Sequence, residues 1–357
     1  MKALITAGGR GTRLRPITYS MNKHLIPVGN VPMIVHALKK IAETGITEVG
    51  ININEGDTSI EDLCGDGSEW GLKISYLEQI GGALGLAHII KNGRKWLGDD
   101  DFIFYLGDNI ILGSLKEFVD NFKKSGANAY LALSKVHDPE RFGVPEINEA
   151  GEIVRVLEKP ENPPSDFAVT GIYCYDKTVH DAIDAIKPSP RGELEISDTH
   201  TQMIQSGGVV KYEVVEGWWK DTGKPYDLIE GNALLLDGMA HANNAGEVED
   251  GVEIIGDVDI QEGARILGRS VIHGPVSIGK NAIIRDAIIG PHTTIGHMTE
   301  VSGATIQNSI IMDEADIETA ETITESIIGH NARISSAHKT KPSGHKMIIG
   351  ENAQLEL

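Results

Sequence analysis

From Ile254 onward the chain carries an aliphatic residue at every sixth position. Ile254, Ile260, Ile266, Ile272, Ile278 and Ile284 follow one another without a break. The phase then slips by one residue and resumes at Ile289, Ile295 and Val301, later at Ile311, Ile317 and Ile323, and lastly at Ile328 and Ile334. Glycine often comes directly after, as in Ile278-Gly279, Ile289-Gly290, Ile295-Gly296 and Ile328-Gly329. A period of six fits one face of a triangular coil, in which each aliphatic side chain stacks on its counterpart in the next coil. An ordinary antiparallel β domain would not hold this phase from Ile254 to Ile284. At about eighteen residues per coil, the region 251–357 has room for roughly four to five coils.

The other end of the chain is organised differently. An apolar run at 3–5 reads as a buried strand, and Ala7-Gly8-Gly9-Arg10-Gly11-Thr12-Arg13-Leu14-Arg15-Pro16 follows at once. Gly8, Gly9 and Gly11 leave backbone N–H groups able to turn towards an anion at close range. Arg13 and Arg15 add fixed positive charge, and Lys23 follows ten residues after Arg13. Phosphate groups are held by this combination of amides, guanidinium forks and a lysine point charge. A glycine-rich turn after a strand is often only a tight loop, and it is the arginines and the lysine that favour a phosphate site here. The spacing matches neither the Walker loop nor the dinucleotide pattern, because Leu14 stands where each would need another residue.

Composition bounds the remaining options. A length of 357 residues suits two domains, and 40% hydrophobic with 24% charged residues is ordinary for a globular chain. No apolar run is long enough to cross a membrane, and the N-terminus enters a strand without the pattern of a signal peptide. Cys64 and Cys174 are the only cysteines. They read as buried free thiols, and a cytoplasmic location is expected. A net charge of −20 argues against nucleic acid or an anionic membrane as partner. It also means that a nucleoside triphosphate must find local positive charge, from Arg13, Arg15, Lys23 and a divalent cation.

Between the two ends, strands and helices alternate. Pro32 opens a helix with Ile34, Ala37, Leu38 and Ile41 at helical spacing, closed by Gly45. Strands are expected around 49–53, 72–77 and 102–106, and a helix over 86–97. The pattern implies βαβ crossovers and a doubly wound, mostly parallel α/β sheet, Rossmann-like, whose ligands sit beyond the carboxyl ends of the strands. Both the glycine turn and Asp108 fall at that edge. Further strands are expected at 129–136, 153–157, 168–175 and 209–215, the half in which a second substrate would bind. A helix at 225–236 leads out, and 237–250 reads as a small, polar linker. The expected division is thus 1–236, a linker over 237–250, and the repeat domain from 251.

The glycine stretch with Lys23-His24-Leu25-Ile26-Pro27-Val28 resembles the signature of the sugar-nucleotide pyrophosphorylases, with Asn22 where that family usually has proline. Gly65-Asp66-Gly67-Ser68-Glu69-Trp70-Gly71-Leu72, Tyr105-Leu106-Gly107-Asp108-Asn109, Glu158-Lys159-Pro160, Arg191-Gly192-Glu193-Leu194-Glu195-Ile196 and Trp218-Trp219-Lys220-Asp221-Thr222-Gly223 extend the likeness to the long form of glucose-1-phosphate thymidylyltransferase. The repeat resembles the hexapeptide of left-handed parallel β-helices. The resemblance implies a nucleotidyltransferase domain followed by such a β-helix, and transfer of a thymidylyl group from dTTP to glucose 1-phosphate with release of pyrophosphate.

It also implies roles for particular residues. Gly8, Gly9, Gly11, Thr12 and Arg13 would bind the nucleotide, with Arg13 and Lys23 catalytic and Gln79 and Gly85 reading the base. Asp108 and Asp221, each otherwise readable as a turn residue, would hold Mg2+. Gly143, Glu158, Lys159 and Gly171 would form the sugar-phosphate pocket. The stretch Gln79-Ile80-Gly81-Gly82-Ala83-Leu84-Gly85 is one residue longer than usual and lacks a proline, and His24 stands where relatives often have glutamine; dTTP and UTP both remain open. No serine or cysteine has a base beside it, so the implied chemistry is direct in-line attack. Two alternatives stand beside this reading. In one the β-helix transfers an acyl group, although His273, His292, His297 and His330 are scattered. In the other the chain is a non-catalytic regulatory subunit. The repeat is expected to serve homo-oligomeric assembly.

Overall fold

The computed structural model describes residues 1–9, 11–215, 219–239 and 243–336, and for residues 220 and 221 the backbone alone. Contacts divide the chain into two units. The first comprises Met1–Arg10, Asn22–His24 and Met33–Asp221; the second comprises Gly11–Met21, Leu25–Pro32 and the chain from Thr222.

The first unit is built on a seven-stranded sheet. Its order is Val210–Val214, Ala129–Lys135, Phe167–Tyr175, Phe102–Leu106, Lys2–Thr6, Glu48–Asn54, Lys73–Gln79. Every pairing is parallel except those of Phe167–Tyr175, which runs antiparallel to both neighbours. The central strands are largely apolar because both faces are covered: Leu4, Ile5, Phe102, Phe104 and Tyr175 are essentially inaccessible. Helix Met33–Glu43 buries Ile34, Ala37, Leu38 and Ile41, the periodic positions of the sequence. Helix Leu86–Leu97 has the limits expected. Cys64 and Cys174 are free and buried, and burial raises both thiols above their ordinary pKa, Cys64 to about 11.

Two small ladders flank the sheet. Gly143–Ile147 pairs antiparallel with Ile153–Glu158, and Trp219–Asp221 with Asn109–Ile111. Helix Ile196–Gln205 is pinned to the first ladder by Thr201, whose hydroxyl accepts from the Val156 N–H and donates to its carbonyl, both at 3.0 Å. Strand order reverses between Lys2–Thr6 and Phe102–Leu106, the crevice where doubly wound sheets bind ligands.

The second unit contains a left-handed parallel β-helix made of three parallel sheets of six, five and five strands. Inward aliphatics stack in register: Val248, Ile266, Ile284, Val301, Ile317 and Ile334 on one face. The phase slip has a simple origin. Ile266 to Ile284 is a step of eighteen residues, Ile284 to Val301 seventeen, and Val301 to Ile317 sixteen, so the later coils are shorter. Ile306, which pairs with Ile289 and Ile323, belongs to the stack although the six-residue count passes over it. Several corners turn through left-handed residues, among them Asn281, Asp286, Asn308 and Asn331, types that tolerate this backbone best. The first coil begins within 237–250: Asn244 bridges Ile260, and Glu247–Val248 pairs with Arg265–Leu267.

Helix Pro225–Asp237 and the short hairpin formed by Pro27–Val28 and Val31–Pro32 also belong to this unit. The hairpin turn at Gly29 and Asn30 has φ of 63° and 59°. Asn232, fully buried, accepts from the Gly29 N–H at 2.8 Å and donates to the His292 carbonyl at 3.1 Å. The Asn30 amide donates to the carbonyls of Ser277 and Ile295 at 3.1 and 3.0 Å. Two asparagines thus bind residues near the start of the chain to the coils.

Candidate active site

Gly8 and Gly9 follow the first strand directly. Gly9 does not offer a free amide: its N–H donates to Asn54 Oδ1 at 2.9 Å, the side chain ending the neighbouring strand. Gly8 is required by space, since a Cβ there would lie 3.0 Å from Gln79 Oε1, 3.2 Å from Asn52 Oδ1 and 3.3 Å from Asn54 Oδ1. Gly11, Thr12 and Arg13 belong to the second unit, where Gly11 in the left-handed region precedes the 3-10 turn Thr12–Leu14. Leu14 anchors that turn in the interior, and Arg13 and Arg15 are exposed on it.

Lys23 is buried, not mobile, and its ammonium is paired with the Asp108 carboxylate. Asp108 follows the central strand Phe102–Leu106, and Gly107 between them is held so tightly that a Cβ would lie 2.3 Å from the Thr6 carbonyl. The Asp108 carboxyl lies well below the usual carboxylate range. Its burial works in the opposite direction, and the charge of Lys23 beside it, with hydrogen bonds from Lys23 and Asn109, outweighs that. His24 is sealed in the same place, and burial lowers its pKa to about 4, so the imidazole is neutral at pH 7. Asn22, the residue standing in for the family's proline, donates to the Ala7 carbonyl at 3.1 Å and to Asp57 at 2.8 Å, and accepts from the His24 N–H at 3.0 Å.

Asn109 links two further parts of the site. Its amide donates to Asp108 Oδ1 at 2.9 Å and accepts from the Trp219 indole N–H at 2.5 Å. A Cβ on Gly171 would lie 2.7 Å from that same amide, so only glycine fits. The ladder sets residue 221 opposite Asn109 and one residue from Asp108; the Asp221 side chain lies outside the described residues, as do Arg10 and Trp218. Among the described residues there is no group of three or more His, Cys, Asp or Glu able to enclose a metal ion.

Gly143 and Glu158 face each other across the hairpin, and a Cβ on Gly143 would meet Ser197 Oγ at 2.6 Å and Glu158 Oε2 at 3.7 Å. Ser197 donates to Glu158 Oε2 at 2.8 Å, and Arg191 to Glu158 Oε1 at 3.2 Å and Glu195 at 2.9 Å. Lys159 has φ of 45°, a left-handed backbone unusual for lysine, fixed where its N–H donates to the Phe142 carbonyl at 2.9 Å. Gly85 has φ of 98°, and a Cβ there would strike the Leu194 carbonyl at 2.4 Å. The Leu194 N–H donates to Leu84 at 2.8 Å, so the 191–196 motif braces the loop after Gln79.

The first unit therefore brings together Gly8 with Gln79, Lys23 with Asp108, Gly171 with Asp108 through Asn109, and Gly143 with Glu158. Asn109, Arg191, Ser197 and Asn22 were given no role from sequence, although the first two lie inside quoted motifs. What would have marked them is their polarity next to apolar strands, since buried polar groups are there for a partner.

A doubly wound sheet with a glycine turn, a lysine–aspartate pair and carboxylates at its switch point defines a nucleotide-binding α/β enzyme. Residues 2–238 match the family described as Nucleotidyl transferase, and the chain belongs to it. Residues 285–356 match the GMPPB C-terminal domain. A low-salt glycan biosynthesis nucleotidyltransferase of Haloferax volcanii is 40% identical over 359 residues, covering 100% of both chains. A glucose-1-phosphate thymidylyltransferase of Streptomyces antibioticus is 39% identical over 358 residues, covering 100% of this chain and 99% of its own. A crystal structure from Bacillus anthracis, carrying the glucose-1-phosphate thymidylyltransferase name and bound to sucrose, has 40% identity and a TM-score of 0.62 over 66% of this chain and 94% of that one. The protein is a nucleotidyltransferase acting on a nucleoside triphosphate and a sugar 1-phosphate. No helix among the described residues is long and apolar enough to cross a membrane.

Proposed function

We propose that the protein joins dTTP to glucose 1-phosphate, giving dTDP-glucose and pyrophosphate, with UTP as the second-best donor. The observation that carries this is the Lys23–Asp108 pair at the sheet's switch point, one residue from the Asn109–Asp221 ladder pairing. The thymidylyltransferase name of the full-length Streptomyces relative supports the choice of base and sugar.

In this reading an oxygen of the sugar phosphate attacks the α-phosphorus in line and pyrophosphate leaves, so catalysis is positioning and charge neutralisation. Arg13 and the amides of the glycine turn other than that of Gly9, which Asn54 already holds, take the leaving pyrophosphate, while Lys23 and Lys159 hold the phosphates that must meet. Glu158, oriented by Ser197 and Arg191, accepts from sugar hydroxyls, and Gly143 and Gly171 let Ser197 and Asn109 pack against the backbone of that pocket. Asp108 suits Mg2+: it is a hard oxygen donor, one-fifth exposed, and magnesium takes few carboxylates and keeps several waters. With Asp221 it would hold the ion, which supplies charge neutralisation on the triphosphate.

The β-helix we read as an assembly surface forming a homo-oligomer. Ile255 and Ile288 stand 43% and 45% exposed on the outward side of one coil sheet, where a second copy would cover them. Pyrophosphate release from each nucleoside triphosphate paired with each sugar 1-phosphate tests the substrate reading. Turnover undiminished in excess chelator would remove the metal from it, and a monomer in light scattering at micromolar concentration would remove the assembly role.

A further inference from the structure

Asn52 is 1% exposed, and its Oδ1 has no hydrogen-bond partner. A buried acceptor without a donor is costly, and most such groups in a fold are satisfied. The arrangement around it shows what is missing. Asn52 and Asn54 lie on one face of strand Glu48–Asn54, and the ladder sets Asn54 beside Gln79 and Asn52 beside Leu77. Each of the three amides has its NH2 committed to a backbone carbonyl: Asn52 to Leu77 at 3.2 Å, Asn54 to Gly9 at 3.4 Å, Gln79 to Gly82 at 2.8 Å. Their three oxygens therefore line the space that a Cβ on Gly8 would occupy. Asn54 Oδ1 receives the Gly9 N–H there. Asn52 Oδ1 and Gln79 Oε1 both lie against that space, two acceptors with no N–H reaching Asn52 Oδ1.

A half-turn of the Gln79 amide removes the conflict. Nε2 would then donate to Asn52 Oδ1, and Oε1 would point where Nε2 now meets Gly82. The exchange trades the Gly82 hydrogen bond for one to Asn52 and leaves Oε1 against the Gly82 carbonyl, so the turned orientation needs a ligand donor or a shift of that carbonyl. A ligand that binds one orientation alone decides between them. The released oxygen is an acceptor, so the ligand must bring an N–H.

Resting on the reading of Gln79 as the base-reading residue, we propose that Asn52 is a specificity-determining positioning residue. It holds Gln79 with its oxygen presented to the imino N–H of the nucleobase, and so selects bases with a ring N–H over those with a bare ring nitrogen. Thymine, uracil and guanine carry such a hydrogen; cytosine and adenine place an acceptor there. The loop 80–85 loses its Gln79 anchor when nucleotide binds. That loop has Gly81 and Gly82 at φ of 87° and 86° and Ile80 72% exposed.

The test compares kcat/KM for dTTP, UTP, CTP, GTP and ATP in the wild type and in Asn52→Val. Valine suits a buried strand position and removes the acceptor. The expected result is a fall of at least about tenfold in the UTP-to-CTP ratio. KM for glucose 1-phosphate should be unchanged, and the thermal midpoint should stay near wild type, because loss of the unpartnered acceptor offsets loss of the Asn52–Leu77 hydrogen bond. Asn52→Asp keeps an acceptor in place and should retain the ratio within about threefold. If the valine variant does not fold, Asn52→Ser, whose oxygen falls short of Gln79, takes its place. An unchanged UTP-to-CTP ratio in the folded variant overturns the proposal, as does a wild type that uses CTP as well as UTP. A wild type that refuses dTTP and UTP but prefers GTP to ATP overturns the thymidylyltransferase reading and leaves the role of Asn52 standing.

Discussion

Replacing Lys23 with methionine separates the electrostatic cost of the site from its chemistry. The lysine side chain is 9% exposed and its partner Asp108 21%, so neither charge is fully solvated. Removing one partner of a fully buried pair typically costs ~3–5 kcal/mol, because the other charge is left without compensation. The partial exposure of Asp108 lets water recover some of that, and about 2–3 kcal/mol is expected for Lys23→Met. At roughly 2–4 °C per kcal/mol, the thermal midpoint should fall by about 5–10 °C. The double variant Lys23→Met/Asp108→Asn removes both charges and should recover most of the loss, while pyrophosphate release stays abolished in both. Differential scanning calorimetry near pH 7, without substrate, reads the effect. The Asp108 carboxyl is depressed in the folded state, so its contribution is present above the ordinary carboxylate pKa and is lost only as pH falls through the lower folded value. A single variant within about 0.5 kcal/mol of wild type would refute the reasoning, because it would show that solvent already screens the pair.

Asp108→Asn and, separately, Asp221→Asn should each lower kcat by at least about a hundredfold with the circular dichroism spectrum unchanged; full turnover would leave that aspartate a turn residue. Burial lowers the pKa of His24 to about 4 and of His200 to about 3, so the unfolded chain binds more protons than the native one below the ordinary value near 6.5. Stability should therefore fall as pH drops from about 6.5 towards 4, by ~3 kcal/mol or more for each imidazole, and urea unfolding at stepped pH should show a shallower acid limb in His200→Gln. Gly107→Ala forces a methyl against the Thr6 carbonyl and should cost more than about 2 kcal/mol, seen as a lower urea midpoint; a midpoint within error of wild type would show that the strand end yields freely.

Where local pattern and fold agree, the sequence was enough to read the structure. The apolar run before Asp108 became a central strand because nothing but burial on two faces suits Phe102–Leu106. The isoleucine period became a β-helix because no other arrangement stacks one side chain in six. Its arithmetic failed only where coils shorten to seventeen and sixteen residues, and each shortening shows in the sequence as a slip of phase. In the site, position was legible and state was not. Gly8, Gly9 and Asp108 follow the carboxyl ends of their strands as expected, yet the Gly9 amide is already occupied and Lys23 is buried in a pair. Both facts depend on side chains from other strands, Asn54 and Asp108, which spacing along the chain cannot supply.

The same limit explains why the chain does not divide where composition suggests. Residues 237–250 look like a linker because they are small and polar, but Glu247–Val248 already forms the first strand of a coil sheet. At the other end, Gly11–Met21 and Leu25–Pro32 carry part of the glycine, arginine and lysine signature and yet belong to the unit that contains the β-helix. The bonds that put the hairpin there join Asn30 to Ser277 and Ile295, and Gly29 to Asn232, across more than two hundred residues of sequence. Asn30 tests whether these bonds matter to the hairpin. Its φ of 59° suits glycine, so Asn30→Gly deletes the side-chain hydrogen bonds without straining the backbone. Loss of about 1–3 kcal/mol of stability is expected, because the buried carbonyls of Ser277 and Ile295 lose a donor. Asn30→Asp should be worse, since a carboxylate would face those same carbonyls with nothing to donate. Chemical denaturation of the two variants decides it: equal stability would mean that water takes over the role of the amide, and that the Gly29–Asn232 bond with the turn geometry holds the hairpin to the coils.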